Sequence, residues 1–363
     1  WALGEGAEPR EKAFPWHPLG SFTHRPPGYT LLVGMVLRAT GPDDLRSVRL
    51  LQSLLDCGSL VLLYALGIAV FGAWTGRAAG LASALLMARY DFLMGFVARI
   101  LTETFYLFLV LASLGLALLA RRSRAALPAA VGGFLMGWAA ITRPAALFIA
   151  PFLLLWLATL PAMPRRRQLA LAAAFGLLLA IAPVTWRNWQ LQGRFILIAT
   201  NGGQVLHDSV ARVEDLSAPE DFPPRDALKR PGLGEVDQQH AYRDAALGYL
   251  RRHPEDWGKV LGRKLAILLV SKDEHTISHH PIPTPMDPWL YPLSLAGAGL
   301  SLLWRPRWRW RGRLLLLGTV GTQVAAFLIA NAEVRYRVPL VPILVLLGMG
   351  AGVALRRVKR PNS

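Results

Sequence analysis

Residues 48–71 read VRLLQSLLDCGSLVLLYALGIAVF, an almost unbroken apolar run long enough to cross a bilayer as a helix. Only Arg49 and Asp56 carry charge in it. Gln52 and Asp56 are four residues apart, so they share one helix face, and that face is expected to look inward. The run lacks the short alternating pattern of barrel strands, and lipid offers backbone polar groups no partner, so the crossing form is helical.

Comparable runs lie on both sides. Toward the C-terminus they cover 78–97 (interrupted by Arg89 and Asp91), 102–120, 126–141, 145–160, 169–186, 288–304, 314–329 and 338–355. With 48–71 this makes about nine expected spans. Toward the N-terminus, residues 28–39 are apolar but too short to cross, and 26–27 and 42 are prolines, so a surface helix is expected there. Residues 261–270, with Lys259 before them and Arg263 and Lys264 within them, are a second surface helix or a broken span, and the charge distribution favours the surface. Over the whole chain 53% of residues are hydrophobic and 17% charged, against about 25% charged in an ordinary soluble domain. The expected fold class is an all-α polytopic membrane protein.

The net charge of +17 does not point to nucleic acid, because the basic residues gather at the ends of apolar runs. One cluster is Arg121, Arg122 and Arg124, and a second is Arg165, Arg166 and Arg167. A third runs through Arg305, Arg307, Arg309, Arg311 and Arg313, and the tail holds Arg356, Arg357, Lys359 and Arg360. All four face the cytoplasm if 261–270 stays at the surface. The expected layout is then an outer loop with a surface helix (1–47), a first membrane domain (48–186), a small extracytoplasmic domain (187–287), a second membrane domain (288–355) and a cytoplasmic tail (356–363). The 187–257 stretch carries Glu214, Asp215, Glu220, Asp221, Asp226, Asp237 and Asp244, a composition that belongs in water. The single cysteine, Cys57, excludes an intrachain disulfide.

Several polar residues fall at the outer ends of these spans. His24, Arg25 and Tyr29 flank the Pro26–Pro27 pair, where they serve either a stiffened helix entry or an anionic ligand. Thr102 and Glu103 open the 102–120 run, where an early acid suits the helix dipole and an acid near hydrocarbon is also a functional candidate. Arg143 follows Thr142 at the end of 126–141, and Asn331, Glu333, Arg335, Tyr336 and Arg337 precede Pro339. These arginines oppose the charge bias, so lipid headgroups, nearby acids or a bound phosphate must compensate them. Asn201 begins an Asn-Gly turn. His207 beside Asp208, and His275, His279 and His280 among prolines, are weaker signals.

Taken in order, these stretches resemble the bacterial relatives of dolichyl-phosphate-mannose protein mannosyltransferases, a group that includes the lipid A aminoarabinose transferases. The resemblance rests on RPPGY (25–29), VRLLQSLLD (48–56), LTE (101–103), TRP (142–144), PVTWRNWQLQGRF (183–195), TNGG (200–203), AYRDAALGYLRRHPEDW (241–257) and EVRYRVPLVP (333–342). It covers nearly the whole chain; each motif is weak alone, and their order is the specific feature. It implies a GT-C-type glycosyltransferase in the bacterial cytoplasmic membrane. Such an enzyme moves a sugar from a polyprenyl-phosphate donor to a lipid, glycan or protein acceptor at the outer face. The departing phosphate needs positive charge or a divalent metal ion. On this resemblance Glu103 is the catalytic candidate, and His24, Arg25, Tyr29, Arg143, Asn201, Glu333, Arg335, Tyr336 and Arg337 are the substrate-binding candidates. The family's acidic first loop has no equivalent among Glu5, Glu8 and Glu11, and residues 1–6 resemble the stretch just after that acid. The chain is therefore expected to lack a preceding span. The competing readings are a transporter of lipid-linked glycan, which usually carries an internal repeat not seen here, and a catalytically inactive assembly partner.

The layout makes a direct prediction. Cysteines placed in 187–257 or near Asn331 will react with a membrane-impermeant reagent in intact cells, and cysteines in 305–313 will not. Ready labelling at 305–313 would overturn it.

Overall fold

The computed structural model describes residues 23–159, 165–211, 222–229, 232–269, 290–303, 310–330 and 334–358. Among them every regular element is helical. In chain order these are α1 (Gly28–Thr40), α2 (Leu45–Phe71), α3 (Ala73–Ala88), α4 (Asp91–Val97), α5 (Thr102–Ser123), α6 (Ala126–Thr142), α7 (Ala146–Ala158) and α8 (Arg166–Gln192). There follow α9 (Gly202–Ala211), α10 (Glu235–Arg252), α11 (Asp256–Leu269), α12 (Leu290–Leu303), α13 (Trp310–Ile329) and α14 (Val341–Val358). Short 3₁₀ turns occupy Arg225–Leu228 and Val334–Arg337.

Four helices, α2, α5, α8 and α13, are long and apolar enough to cross a membrane, and α6, α7, α12 and α14 are shorter apolar helices. The run at 78–97 is not one helix but two. Tyr90 takes an extended conformation (φ −81°, ψ 100°) between α3 and α4, where Arg89 and Asp91 interrupt the apolar sequence. The run at 169–186 is longer than its hydrophobicity predicts. Helix α8 continues to Gln192 and stops at Gly193, which adopts the left-handed conformation at φ 64°.

Helix α5 is apolar all round and lies at the centre, with Phe105, Tyr106, Leu109, Val110, Leu111 and Leu114 all buried. By contrast α2 exposes Leu50, Leu54 and Val61, and α8 exposes Leu171, Phe175, Leu178 and Leu179. Large apolar side chains on an outer face suit contact with lipid rather than water. Helices α6 and α8 pack backbone to backbone. A Cβ at Gly133 would overlap the Ala173 carbonyl oxygen, and one at Gly176 would overlap the Ala130 carbonyl oxygen. In a membrane, where lipid removes the usual hydrophobic drive between helices, such close approach supplies the packing.

Helix ends gather into two groups. Arg122 at the end of α5 donates to the Ala69 carbonyl of α2 (3.1 Å), and Trp156 of α7 donates to the Arg311 carbonyl of α13 (3.0 Å). Arg313 is fully buried and donates to Ser301 O of α12 (3.0 Å). The arginines at 311 and 313 thus sit against the ends of α7 and α12. At the opposite ends of α5 and α13 lie the starts of α1 and α5, the end of α6 and the 334–337 turn.

Helices α9, α10 and the first turns of α11 share a smaller core of Val210, Phe222, Ala246, Tyr249, Leu250 and Val260. It is joined to the bundle through a folded-back segment. The buried Asn188 side chain of α8 donates to Ile198 O (2.9 Å) and Ile196 O (3.3 Å), and Thr185 donates to Leu197 O (2.7 Å).

Gly176→Val will force α6 and α8 apart and cost about 1–3 kcal/mol, the usual penalty of overpacking. It will lower the thermal unfolding midpoint of the purified protein. Gly115→Ala, placed in open space on α5, will leave that midpoint unchanged or raise it.

Candidate active site

Glu103 stands in the first turn of α5, and its side chain is 1% exposed. Its partner is Arg143, the residue that ends α6, with Nη1 2.9 Å from Glu103 Oε1. Among the described residues the other carboxylate oxygen accepts only a long bond from Thr102 Oγ1 (3.3 Å). The Arg143 guanidinium lies over the Tyr336 ring at 4.8 Å and near the Tyr106 ring at 5.8 Å. Tyr336, in the 334–337 turn, is stacked on Phe327 of α13 with centroids 4.7 Å apart. A cation between two aromatic faces and a carboxylate is held in place before any ligand arrives.

The wall on the other side is α1. Trp138 Nε1 of α6 donates to Gly28 O (3.2 Å), and a Cβ at Gly28 would come within 2.8 Å of the Ile141 carbonyl. Glycine at 28 is therefore what lets α1 start against the end of α6, next to Thr142 and Arg143. This places Tyr29 beside the ion pair. Burial, and second the Glu103 carboxylate, push its phenol pKa up, so the hydroxyl keeps its proton. Tyr29 Oη has no hydrogen-bond partner among the described residues, and neither does Gln323 Oε1 on α13. The Gln323 amide donates to Tyr106 Oη. Each buried polar atom left without a partner costs about 1–3 kcal/mol.

Of the residues expected from sequence, Tyr29, Glu103, Arg143 and Tyr336 come together here, with Arg335 at 5.6 Å from the Tyr336 ring. Arg337 is turned toward α11 and α12: it donates to Ile267 O and lies over Tyr291 at 4.7 Å. Arg25 is exposed. His24 and Asn201 flank a second polar junction. There Glu235, at the start of α10, accepts from Thr23 Oγ1 (2.9 Å), from Gln192 (3.3 Å) and from Thr200 Oγ1. Thr200 N also donates to Thr23 O (3.0 Å). Glu333, Asn331 and the histidines at 275, 279 and 280 lie outside the described residues. His207 is buried, with Nε2 3.0 Å from Pro223 O, and belongs to the smaller core.

Sequence reasoning missed Tyr106, Gln323 and Glu235. Tyr106 follows Glu103 by three residues and so shares its helix face, and Gln323 is a lone amide in an apolar run; both signals were present. Glu235 gave none, because its partners are distant in sequence. Lys264 was also missed as a structural group. It is buried on α11, where its ammonium donates to Leu328 O (2.7 Å) and Ala330 O (3.1 Å) at the end of α13. That burial pulls its pKa down to about 8.

Among the described residues no three His, Cys, Asp or Glu side chains gather as metal ligands. Among the described residues the one carboxylate of the site, Glu103, is paired with Arg143. The described donors do not fit a divalent metal site.

No protein-family profile matches the sequence, and no curated protein is significantly similar to it. Solved structures do share its fold. One is the archaeal oligosaccharyltransferase AglB from Archaeoglobus fulgidus in complex with an inhibitory peptide and a dolichol-phosphate (TM-score 0.57, 16% identity, 96% of this chain and 45% of that one). Another is the Archaeoglobus fulgidus enzyme tethered to an acceptor peptide containing the NVT sequon (TM-score 0.56, 15% identity, 93% and 42%). A third is that enzyme with Zn and sulfate (TM-score 0.56, 16% identity, 94% and 42%). The chain thus has the GT-C-type membrane fold and spans less than half the length of these neighbours.

The ion pair has a testable energetic signature. Arg143→Met leaves Glu103 buried and unpaired, which costs about 3–5 kcal/mol. Adding Glu103→Gln to that variant will recover much of the lost stability in thermal unfolding. Additive losses from the two substitutions would mean that the pair is not coupled.

Proposed function

We propose that this chain transfers a sugar from a polyprenyl-phosphate donor to an acceptor hydroxyl at the outer face of the bacterial cytoplasmic membrane. The observation that carries the proposal is the juxtaposition of Glu103 and Arg143 at a common set of helix ends within a GT-C-type fold. Neighbours of that fold were solved with a dolichol-phosphate and with an acceptor peptide. The resemblance to polyprenyl-phosphate-dependent transferases points to the same donor chemistry.

Arg143 offers the donor phosphate a guanidinium that is already oriented. Nη1 stays on Glu103, and the remaining N–H groups can reach phosphate oxygens. The acceptor oxygen attacks the anomeric carbon, the bond from that carbon to the phosphate oxygen breaks, and the phosphate keeps the electron pair. Arg143 stabilises the charge that develops there. The acceptor's proton goes to Glu103 Oε2, the oxygen that Thr102 holds only loosely. Arg335 adds positive charge beside Tyr336.

Sugar transfer by the purified protein in lipid nanodiscs, from radiolabelled polyprenyl-phosphate sugars, tests this. Glu103→Gln will lower the rate by about 10²–10⁴-fold, the usual worth of a general base, and leave donor affinity in place. Arg143→Lys will weaken donor affinity, because a point charge cannot reproduce the planar fork. Full turnover in Glu103→Gln would remove the assigned base, and wild-type donor affinity in Arg143→Lys would remove the assigned phosphate ligand.

A further inference from the structure

Two polar atoms of the site remain unused once the ion pair has been assigned. Tyr29 Oη and Gln323 Oε1 belong to side chains that are 8% and 1% exposed, and both lack a partner among the described residues. They come from different elements, α1 and α13, and both lie close to α5. Tyr29 stands near enough to Glu103 to feel its charge, with its ring 6.4 Å from that of Phe105. Gln323 is tied to Tyr106, one turn beyond Glu103. Both side chains thus pack against the first two turns of α5, the helix that carries the acid.

Their chemistry differs from that of Arg143. Gln323 Oε1 is an acceptor and needs a donor. An ionised phosphate oxygen only accepts, so the lipid phosphate cannot satisfy it. With the amide in the orientation that donates to Tyr106 Oη, a hydroxyl can, because it both donates and accepts. Tyr29 Oη keeps its proton and can donate to such a group or accept from it. The charges beside them are already balanced, Glu103 against Arg143, so this part of the site does not call for an ion.

The geometry points to a neutral, hydroxyl-recognising subsite formed by Tyr29, Tyr106 and Gln323, which takes the sugar ring of the donor while Arg143 takes its phosphate. This rests on the donor reading given above. It divides the site into an anionic half and a neutral half, and makes Tyr29 and Gln323 determinants of sugar recognition rather than phosphate ligands.

The test compares two ligands on full-length protein in nanodiscs: bare polyprenyl phosphate, and a panel of the same lipid carrying single hexoses or pentoses. Tyr29→Phe and Gln323→Met keep ring and volume, and thermal unfolding checks that each variant folds like the wild type. Each will lose about two- to tenfold in affinity for the best glycosylated lipid, the worth of one neutral hydrogen bond, with no change for bare polyprenyl phosphate. Arg143→Gln will weaken both ligands. Parallel losses for both lipids, or no loss for either, would overturn the subsite alone. A wild-type protein that binds bare polyprenyl phosphate but gains nothing from any sugar would do the same. A wild-type protein that binds neither ligand would overturn the donor reading, and this one with it.

Discussion

A carboxylate and a guanidinium paired at the ends of membrane helices set the terms for everything around them. Neither charge is tolerable alone where Glu103 lies, because desolvating an ion costs far more than a neutral group. Their pairing requires α5 to begin where α6 ends, and Arg143 to project across that gap. The 2.9 Å contact is therefore as much a constraint on helix placement as a local interaction. The surrounding devices keep the two ends in register. Gln52 of α2 donates to the Arg99 carbonyl (2.9 Å) and steadies the turn that leads into α5. Gly28 lets α1 close against the end of α6, and the Phe327–Tyr336 stack seats the guanidinium from below.

The same logic explains how much of the molecule could be read from its sequence. Apolar runs report burial or lipid contact directly, so most helices lie within a few residues of where hydrophobicity placed them. The misses have physical causes. The 78–97 run is broken because two charged residues in mid-run outweigh the apolar residues around them. Helix α8 runs past its apolar stretch because Trp186 and Trp189 are amphipathic residues that extend a helix into an interfacial setting. Arg143 and Glu103 were legible as charges in the wrong place, Tyr336 as part of a basic-aromatic cluster. Their mutual contact was not legible, since it joins residues forty apart on different helices. Glu235 was hard to see for the same reason: its hydrogen bonds to Thr23, Gln192 and Thr200 are all long-range in sequence.

The second polar junction also gives the smaller core a defined attachment. Glu235 ties the start of α10 to the end of α8 and to the stretch just before α1, and α1 carries Tyr29. Movement of the smaller core would thus be transmitted to one wall of the site through side-chain hydrogen bonds rather than through a linker. On the opposite side Lys264 joins α11 to the end of α13, and Arg337 joins the 334–337 turn to α11. The elements outside the bundle hold the site from two sides.

The direction in which helices meet the site has an electrostatic consequence. Helices α1, α5, α7 and α14 present their N-terminal, positive ends there, while α6 and α13 present their C-terminal, negative ends. Each end is equivalent to roughly half an elementary charge, so the backbone fields sum to a net positive one. Lys264 and Arg143 sit on the two negative ends and offset them further. An anion approaching this surface would feel attraction from the peptide dipoles as well as from a few cationic side chains. Part of that attraction is therefore built into the helical scaffold and outlasts the loss of any one side chain, while single substitutions retune the rest.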